Sequence, residues 1–133
     1  MERFYIKGEE FVPEIDLNPD TNILKITGES YHEYTHEFFQ PVFDWLEEYT
    51  KTEGRNIKLS FRMDYFNTAS SKCFFDIIDL LGEYEKESGS NLEIFWYYED
   101  GDIDMLESGE DYLEESGTNI KLIPYNSKEE LPI

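Results

Sequence analysis

Cysteine is nearly absent. Cys73 stands alone in 133 residues, so no internal disulfide can staple the chain and nothing points to an oxidising compartment. Basic residues are also few: eleven Lys and Arg face 31 Asp and Glu, leaving a formal charge of −20. That excess repels a phosphate backbone and an anionic membrane surface alike, and it argues against nucleic acid and membrane as partners. Long apolar runs are missing, so no segment approaches a membrane span. "MERFYIKGEE" lacks a basic stretch followed by an apolar run, and the expectation is a cytoplasmic protein without a secretory leader.

The usual enzyme signatures are lacking too. The chain has no phosphate-binding glycine loop, no G-x-S-x-G elbow and no Cys–His metal pairing. His32 and His36 lie four apart, a spacing that can hold a metal on a helix, but without the HExxH pattern they are taken as a solvated pair. In "DGDIDMLESGED", Asp100, Asp102 and Asp104 fill the first, third and fifth places of a calcium loop. The sixth place, which needs glycine, is Met105, and the twelfth, which needs a bidentate Glu, is Asp111. Acids crowded there are better explained as complementing the dipole of a helix that starts near Asp102. No metal and no cofactor is therefore assigned.

What the chain does have is aromatic bulk. Ten Phe, ten Tyr and two Trp supply enough apolar surface for one folded domain, expected over residues 1–126 with a loose tail over 127–133. "FYIKG" (Phe4 to Gly8) and "EFVPEIDLN" (Glu10 to Asn18) read as strands about a turn, Pro13 marking the second as an edge or irregular segment. "NILKITGES" alternates as a strand, with Leu24 and Ile26 facing the core. From about Thr35 the period changes: Phe39, Val42, Phe43 and Leu46 form one helical stripe, which Pro41 should kink or split near Phe39 and which Gly54 is placed to end. "IKLSFRMDYF" alternates cleanly, with Ile57, Leu59, Phe61 and Met63 inward, and the following helix buries Phe74, Ile77, Ile78 and Leu81. "LEIFWYY" is an aromatic strand. A third helix turns Met105, Leu106, Tyr112 and Leu113 inward until Gly117, and "NIKLIPY" is the last strand. The order β-β-β-α-β-α-β-α-β predicts an α/β fold whose mixed, partly parallel sheet carries about three helices, the opening strands being antiparallel.

One junction is unusual. In "DYFNTASSK" a strand gives way directly to a helix through Asn67, Thr68, Ser70 and Ser71. A helix start exposes unpaired N–H groups and the positive end of its dipole, so it accepts a side-chain oxygen and, more strongly, a phosphate. Capping explains one such residue and does not require four. A phosphate on Thr68 would bring about 1.5 to 2 negative charges to a place that stabilises them, close to Lys72 one turn on.

"FYIKG", "PEIDL", "EFFQPVFDWLEEY", "DYFNTASSK" and "WYYEDGDIDMLESGED" together resemble the SiaC-type bacterial regulatory phosphoproteins from Phe4 to about Tyr125. The resemblance implies a small α/β domain shaped like the STAS-type anti-sigma-factor antagonists, with no catalysis of its own. It further implies a serine/threonine kinase that phosphorylates the protein, a metal-dependent phosphatase that reverses this, and a diguanylate cyclase that the unmodified form binds and activates in cyclic di-GMP and biofilm signalling. The family's phosphoacceptor falls on Thr68, which on this reading also caps its helix, while Ala69 replaces a serine of the family pattern. Asn67, Ser70, Ser71 and Lys72 become the expected recognition surface. The competing reading is an acidic metal-binding domain or small enzyme using the carboxylates between Asp100 and Asp111.

Overall fold

Apolar alternation and helical stripes follow one another along the chain as expected, and the computed structural model, which describes residues 1–127, closes them into one sheet. Its strands are β1 (Phe4–Ile6), β2 (Glu14–Asn18), β3 (Ile23–Ser30), β4 (Asn56–Phe66), β5 (Asn91–Glu99) and β6 (Ile120–Tyr125), and its helices are α1 (Thr35–Tyr49), α2 (Thr68–Ser88) and α3 (Ile103–Ser116). The strands lie side by side in chain order. β1, β2 and β3 pair antiparallel, whereas β3 to β6 pair parallel, each parallel step crossing over through one helix. Right-handed crossovers that always advance in one direction put every helix on the same face of the sheet, and α1 packs on α2 as α2 packs on α3.

The core lies between that face and the helices. Leu24 and Ile26 of β3 are buried in it, as are Ile57, Leu59, Phe61 and Met63 of β4 and Phe74, Ile77, Ile78 and Leu81 of α2. Through its middle runs a chain of ring contacts: Phe39 to Phe74 at 5.8 Å, Phe74 to Phe61 at 5.2 Å, Phe61 to Trp96 at 5.4 Å and Trp96 to Tyr112 at 5.2 Å. Each such pair adds about 0.5–1.5 kcal/mol beyond the area it buries, and the chain ties α1, α2, α3, β4 and β5 together.

Helix ends follow their sequence signals where a side chain can reach the backbone. Asp102 caps α3 by accepting from the Met105 N–H at 3.1 Å, and Gly117 ends it with φ 66°. Gly89 ends α2 in the same left-handed conformation. Leu106 is only half-buried, and Met105, Gly109 and Tyr112 form the buried stripe of α3.

Three expectations fail for physical reasons. Pro41 does not split α1, which runs unbroken from Thr35 to Tyr49. Pro41 and Glu37, whose carbonyl loses its partner, are both exposed, so water can replace the missing bond, while Phe39, Val42, Leu46 and Tyr49 stay buried on either side. That helix ends at Thr50 in a right-handed conformation, not at Gly54. Pro13 does not make an edge: it precedes the strand, so β2 pairs on both sides, through Ile15, Asp16 and Leu17 with β1 and along its whole length with β3. The tail expected over 127–133 lies, apart from Ser127, outside the described residues.

Gly109 was not singled out by pattern, yet it sets how closely α3 approaches the sheet. A Cβ there would sit 2.5 Å from Trp96 Cδ1 and 2.7 Å from Leu122 Cδ2. The indole cannot swing aside, because its N–H donates to the Met105 carbonyl at 2.8 Å. Gly109→Ala is therefore expected to cost about 1–2 kcal/mol net, overpacking of about 1–3 kcal/mol outweighing a helix-propensity gain of up to about 1 kcal/mol. Thermal unfolding should show a midpoint lower by roughly 4 °C or more.

Candidate functional site

In parallel α/β sheets, sites gather beyond the carboxyl ends of the strands. Here β3 and β4 end side by side, and an irregularity just before their ends decides what they present. Gly28 pairs with Met63 but Glu29 pairs with Tyr65, so Asp64 is an extra residue in β4. The bulge reverses the alternation beyond it. Phe66 turns inward against Phe74 and Trp96, while Tyr65 turns outward, 55 % exposed, with its ring 5.4 Å from that of Tyr31.

Directly after Phe66, Asn67 starts α2. Its backbone is extended (φ −87°, ψ 175°) and its side-chain oxygen accepts from the Ser70 N–H at 2.8 Å, so Asn67 is the cap. Thr68, expected to share that role, is instead the first residue of the helix proper. It is exposed, and its hydroxyl bonds no other described residue. The N–H groups of a helix's first turn have no intrahelical acceptor. Asn67 takes that of Ser70, and those of Thr68 and Ala69 remain at the helix start, where they favour negative charge on the Thr68 oxygen.

Ser70 does not belong to the recognition surface. It is 0 % exposed and works as a clamp. Its hydroxyl donates to the Ser30 carbonyl at 2.8 Å and, with its one proton spent there, accepts from the Ser30 hydroxyl at 2.7 Å. The Asn67 N–H reaches the same Ser30 carbonyl at 3.0 Å. Two buried hydroxyls are mutually satisfied, and the start of α2 is bolted to the end of β3. Ser71 is half-buried and ties α2 to α3: the Tyr112 hydroxyl donates to its carbonyl at 3.1 Å and accepts from its hydroxyl at 2.8 Å. Burial pushes the Tyr112 phenol up to about 12, so it remains a neutral donor at physiological pH. Lys72 is exposed one turn beyond Thr68 and forms no ion pair among the described residues. Of the residues expected around Thr68, Asn67 and Ser70 build the helix start, Ser71 bridges helices, and Lys72 faces solvent.

The other candidates separate. His32 precedes α1, where its Nδ1 accepts from the Tyr34 N–H at 2.9 Å, and only His36 is helical, so they are not stacked on one helix face. The acids from Asp100 to Asp111 are split between a turn and a helix. Asp102 is spent as a cap, Asp104 lies in the first turn of α3, and Met105 is buried where a calcium loop turns on glycine. Among the described residues no three His, Cys, Asp or Glu side chains are placed to hold a metal ion together. No described helix is long and apolar enough to cross a membrane.

Aromatic residues at this end went unrecognised in the sequence. Phe11 has φ 75°, a conformation that a bulky side chain rarely adopts, at the tip of the turn closed by Glu9 and Val12. It is 45 % exposed, with its ring 5.0 Å from Tyr31. Neither the bulge nor the turn that brings these rings together leaves a periodic mark in the sequence.

The profile of the SiaC family regulatory phosphoproteins matches residues 6–125. An uncharacterized protein of Pseudomonas aeruginosa strain UCBPP-PA14 is 31% identical over 115 residues, covering 86% of this chain and 90% of that protein. Apo-SiaC from Pseudomonas aeruginosa has the same fold in its crystal structure, with a TM-score of 0.84 at 29% identity over 92% of this chain and 99% of that one. A chain in the crystal structure of the diguanylate cyclase SiaD in complex with its activator SiaC, from the same organism, matches with a TM-score of 0.85 at 29% identity, again over 92% and 99%.

Stability measurements should separate the scaffold from the exposed hydroxyl. Ser70→Ala strands the buried Ser30 hydroxyl and is expected to cost about 1–3 kcal/mol, and Asn67→Ala about 0.5–2 kcal/mol as a lost cap. Thr68→Ala should change stability by no more than about 0.5 kcal/mol. Urea unfolding of the three variants checks the ranking, and a Thr68→Ala loss as large as that of Asn67→Ala would return the capping role to Thr68.

Proposed function

The chain belongs to the SiaC family of regulatory phosphoproteins, and from that premise we propose that it is a non-catalytic switch whose unphosphorylated form binds and activates a diguanylate cyclase. On this reading a serine/threonine kinase transfers the γ-phosphoryl group of ATP to the Thr68 oxygen, releasing ADP, and a metal-dependent phosphatase hydrolyses the ester. The complex of SiaC with the cyclase SiaD supports the class of effector.

The observation that carries the proposal is the division of labour at the junction. Asn67 caps α2 and Ser70 anchors it, which leaves the Thr68 hydroxyl exposed and unbonded among the described residues. Its esterification breaks no hydrogen bond of the fold. The two free N–H groups and the helix dipole stabilise the added charge, with Lys72 one turn away. For a partner seated over Thr68 the same phosphate is prohibitive, since its water must be stripped without a matching cation. A penalty of about 3 kcal/mol lowers affinity roughly a hundredfold. The switch thus acts on docking and leaves the fold intact.

Protein isolated from its own cells should carry one phosphate by intact mass, and Thr68→Ala should carry none. Titrated against the purified diguanylate cyclase of the same cells, the unmodified protein and Thr68→Ala should bind alike and stimulate cyclic di-GMP synthesis. The phosphorylated protein should bind about a hundredfold more weakly. Phosphate found on Ser71 with Thr68 bare, or equal affinity of both forms, would refute the reading.

A further inference from the structure

Six large apolar side chains are exposed among the described residues. Met1, Tyr5 and Ile103 lie at the amino terminus, on β1 and at the start of α3, whereas the other three, Phe11, Tyr34 and Tyr65, at 45 %, 58 % and 55 % exposure, gather where β3 and β4 end. Tyr31 stands between Phe11 and Tyr65, its ring edge-on to both. A surface groove of about 330 Å³ runs along Phe11, Tyr31, His32, Glu33 and Tyr34. Two backbone features hold these rings out against ordinary preference: the left-handed Phe11 and the bulge at Asp64 that turns Tyr65 outward. The patch is continuous with the switch, because Tyr31 follows Ser30, whose carbonyl holds the Asn67 N–H, and Tyr65 is three residues before Thr68.

Carboxylates, not cations, border the groove itself. Glu33 lines the groove, no Lys or Arg does, and Asp64 adjoins Tyr65. Glu29 lies two residues before Tyr31 and Glu10 adjoins Phe11, and the Tyr31 phenol is raised above its ordinary value first by desolvation and then by both carboxylates. A second copy of a chain with a charge of −20 would bring like charges together across such a surface, which disfavours self-association there.

We propose that this acid-rimmed aromatic groove is the docking surface for the effector, and that it receives an apolar segment flanked by Lys or Arg side chains. The inference rests on the reading of Thr68 as the switch and adds the chemistry of what is docked. The apolar part of the segment covers the rings and the neighbouring Thr68, while its basic flanks meet Glu10, Glu29 and Glu33. Aromatic anchors supply most of the affinity at such surfaces and rim charges supply steering, so the two should separate in measurement. A phosphate on Thr68 falls beneath the apolar part, away from the basic flanks, and so weakens binding although the partner is basic.

The test uses the full chain and the same purified diguanylate cyclase. Phe11→Ala and Tyr65→Ala should each weaken binding about tenfold or more, with circular dichroism and phosphorylation of Thr68 unchanged and the thermal midpoint lowered by no more than roughly 6 °C, the loss of one ring contact. The double variant Glu10→Gln, Glu33→Gln should slow association and flatten its dependence on salt. If both aromatic variants bind like the wild type while phosphorylation still abolishes binding, the groove is not the docking surface and the switch stands. If the wild type sediments as a dimer that Phe11→Ala dissociates, a second copy occupies the groove and the proposal is overturned. If the unmodified wild type does not bind the cyclase at all, the reading of function fails and this surface with it.

Discussion

At the carboxyl end of β3 the carbonyl of Ser30 receives two protein donors, the Asn67 N–H and the Ser70 hydroxyl, while the Ser30 side chain donates back to Ser70. Ser30 and Ser70 are both buried, so none of these groups can turn to water without leaving an unsatisfied partner behind. The clamp fixes where α2 begins. With that start fixed, Asn67 must cap, Ser70 must point inward, and Thr68 is left on the outside. Beneath the clamp, Phe66 packs against Phe74 and Trp96, so the junction stands on the aromatic part of the core.

From that geometry the electrical behaviour follows. A chain with a charge of −20 has little reason to attract another anion, yet the start of a 21-residue helix provides one place where negative charge is welcome. On the proposed reading, covalent attachment would overcome the unfavourable surroundings that keep free phosphate away. On the same reading, because the Thr68 hydroxyl bonds no other described residue, its modification would alter what docks without altering what is folded, and the two requirements on a reversible switch would not compete.

Much of this architecture was legible. β4 alternates strictly until Met63, the stripe of Phe74, Ile77, Ile78 and Leu81 marks α2, and Asp102 and Gly117 bracket α3 as capping chemistry dictates. The family signal was carried by five segments spread from "FYIKG" to "WYYEDGDIDMLESGED", the junction among them, and is upheld by the match over residues 6–125. What stayed hidden was the assignment of roles among like residues. Asn67, Thr68, Ser70 and Ser71 all offer short polar side chains, and only the strand beside them decides which is cap, clamp, bridge or free. Ser30, forty residues away, was invisible as a partner. The bulge at Asp64 changes the face of Tyr65 and Phe66 without changing composition, so the exposed rings could not be foreseen. Pro41 did not split its helix for the opposite reason: that local signal was overridden by burial on both sides of it.

The central claim is that the Thr68 oxygen accepts a phosphate while α2 keeps its start. Amide hydrogen exchange over the first two turns of α2, compared between unmodified protein and protein phosphorylated at Thr68, tests this most directly. The account predicts equal or greater protection in the phosphorylated form, with no change across β3 and β4. Loss of protection there would show that the phosphate unfolds the helix start and would contradict a switch that works by docking alone.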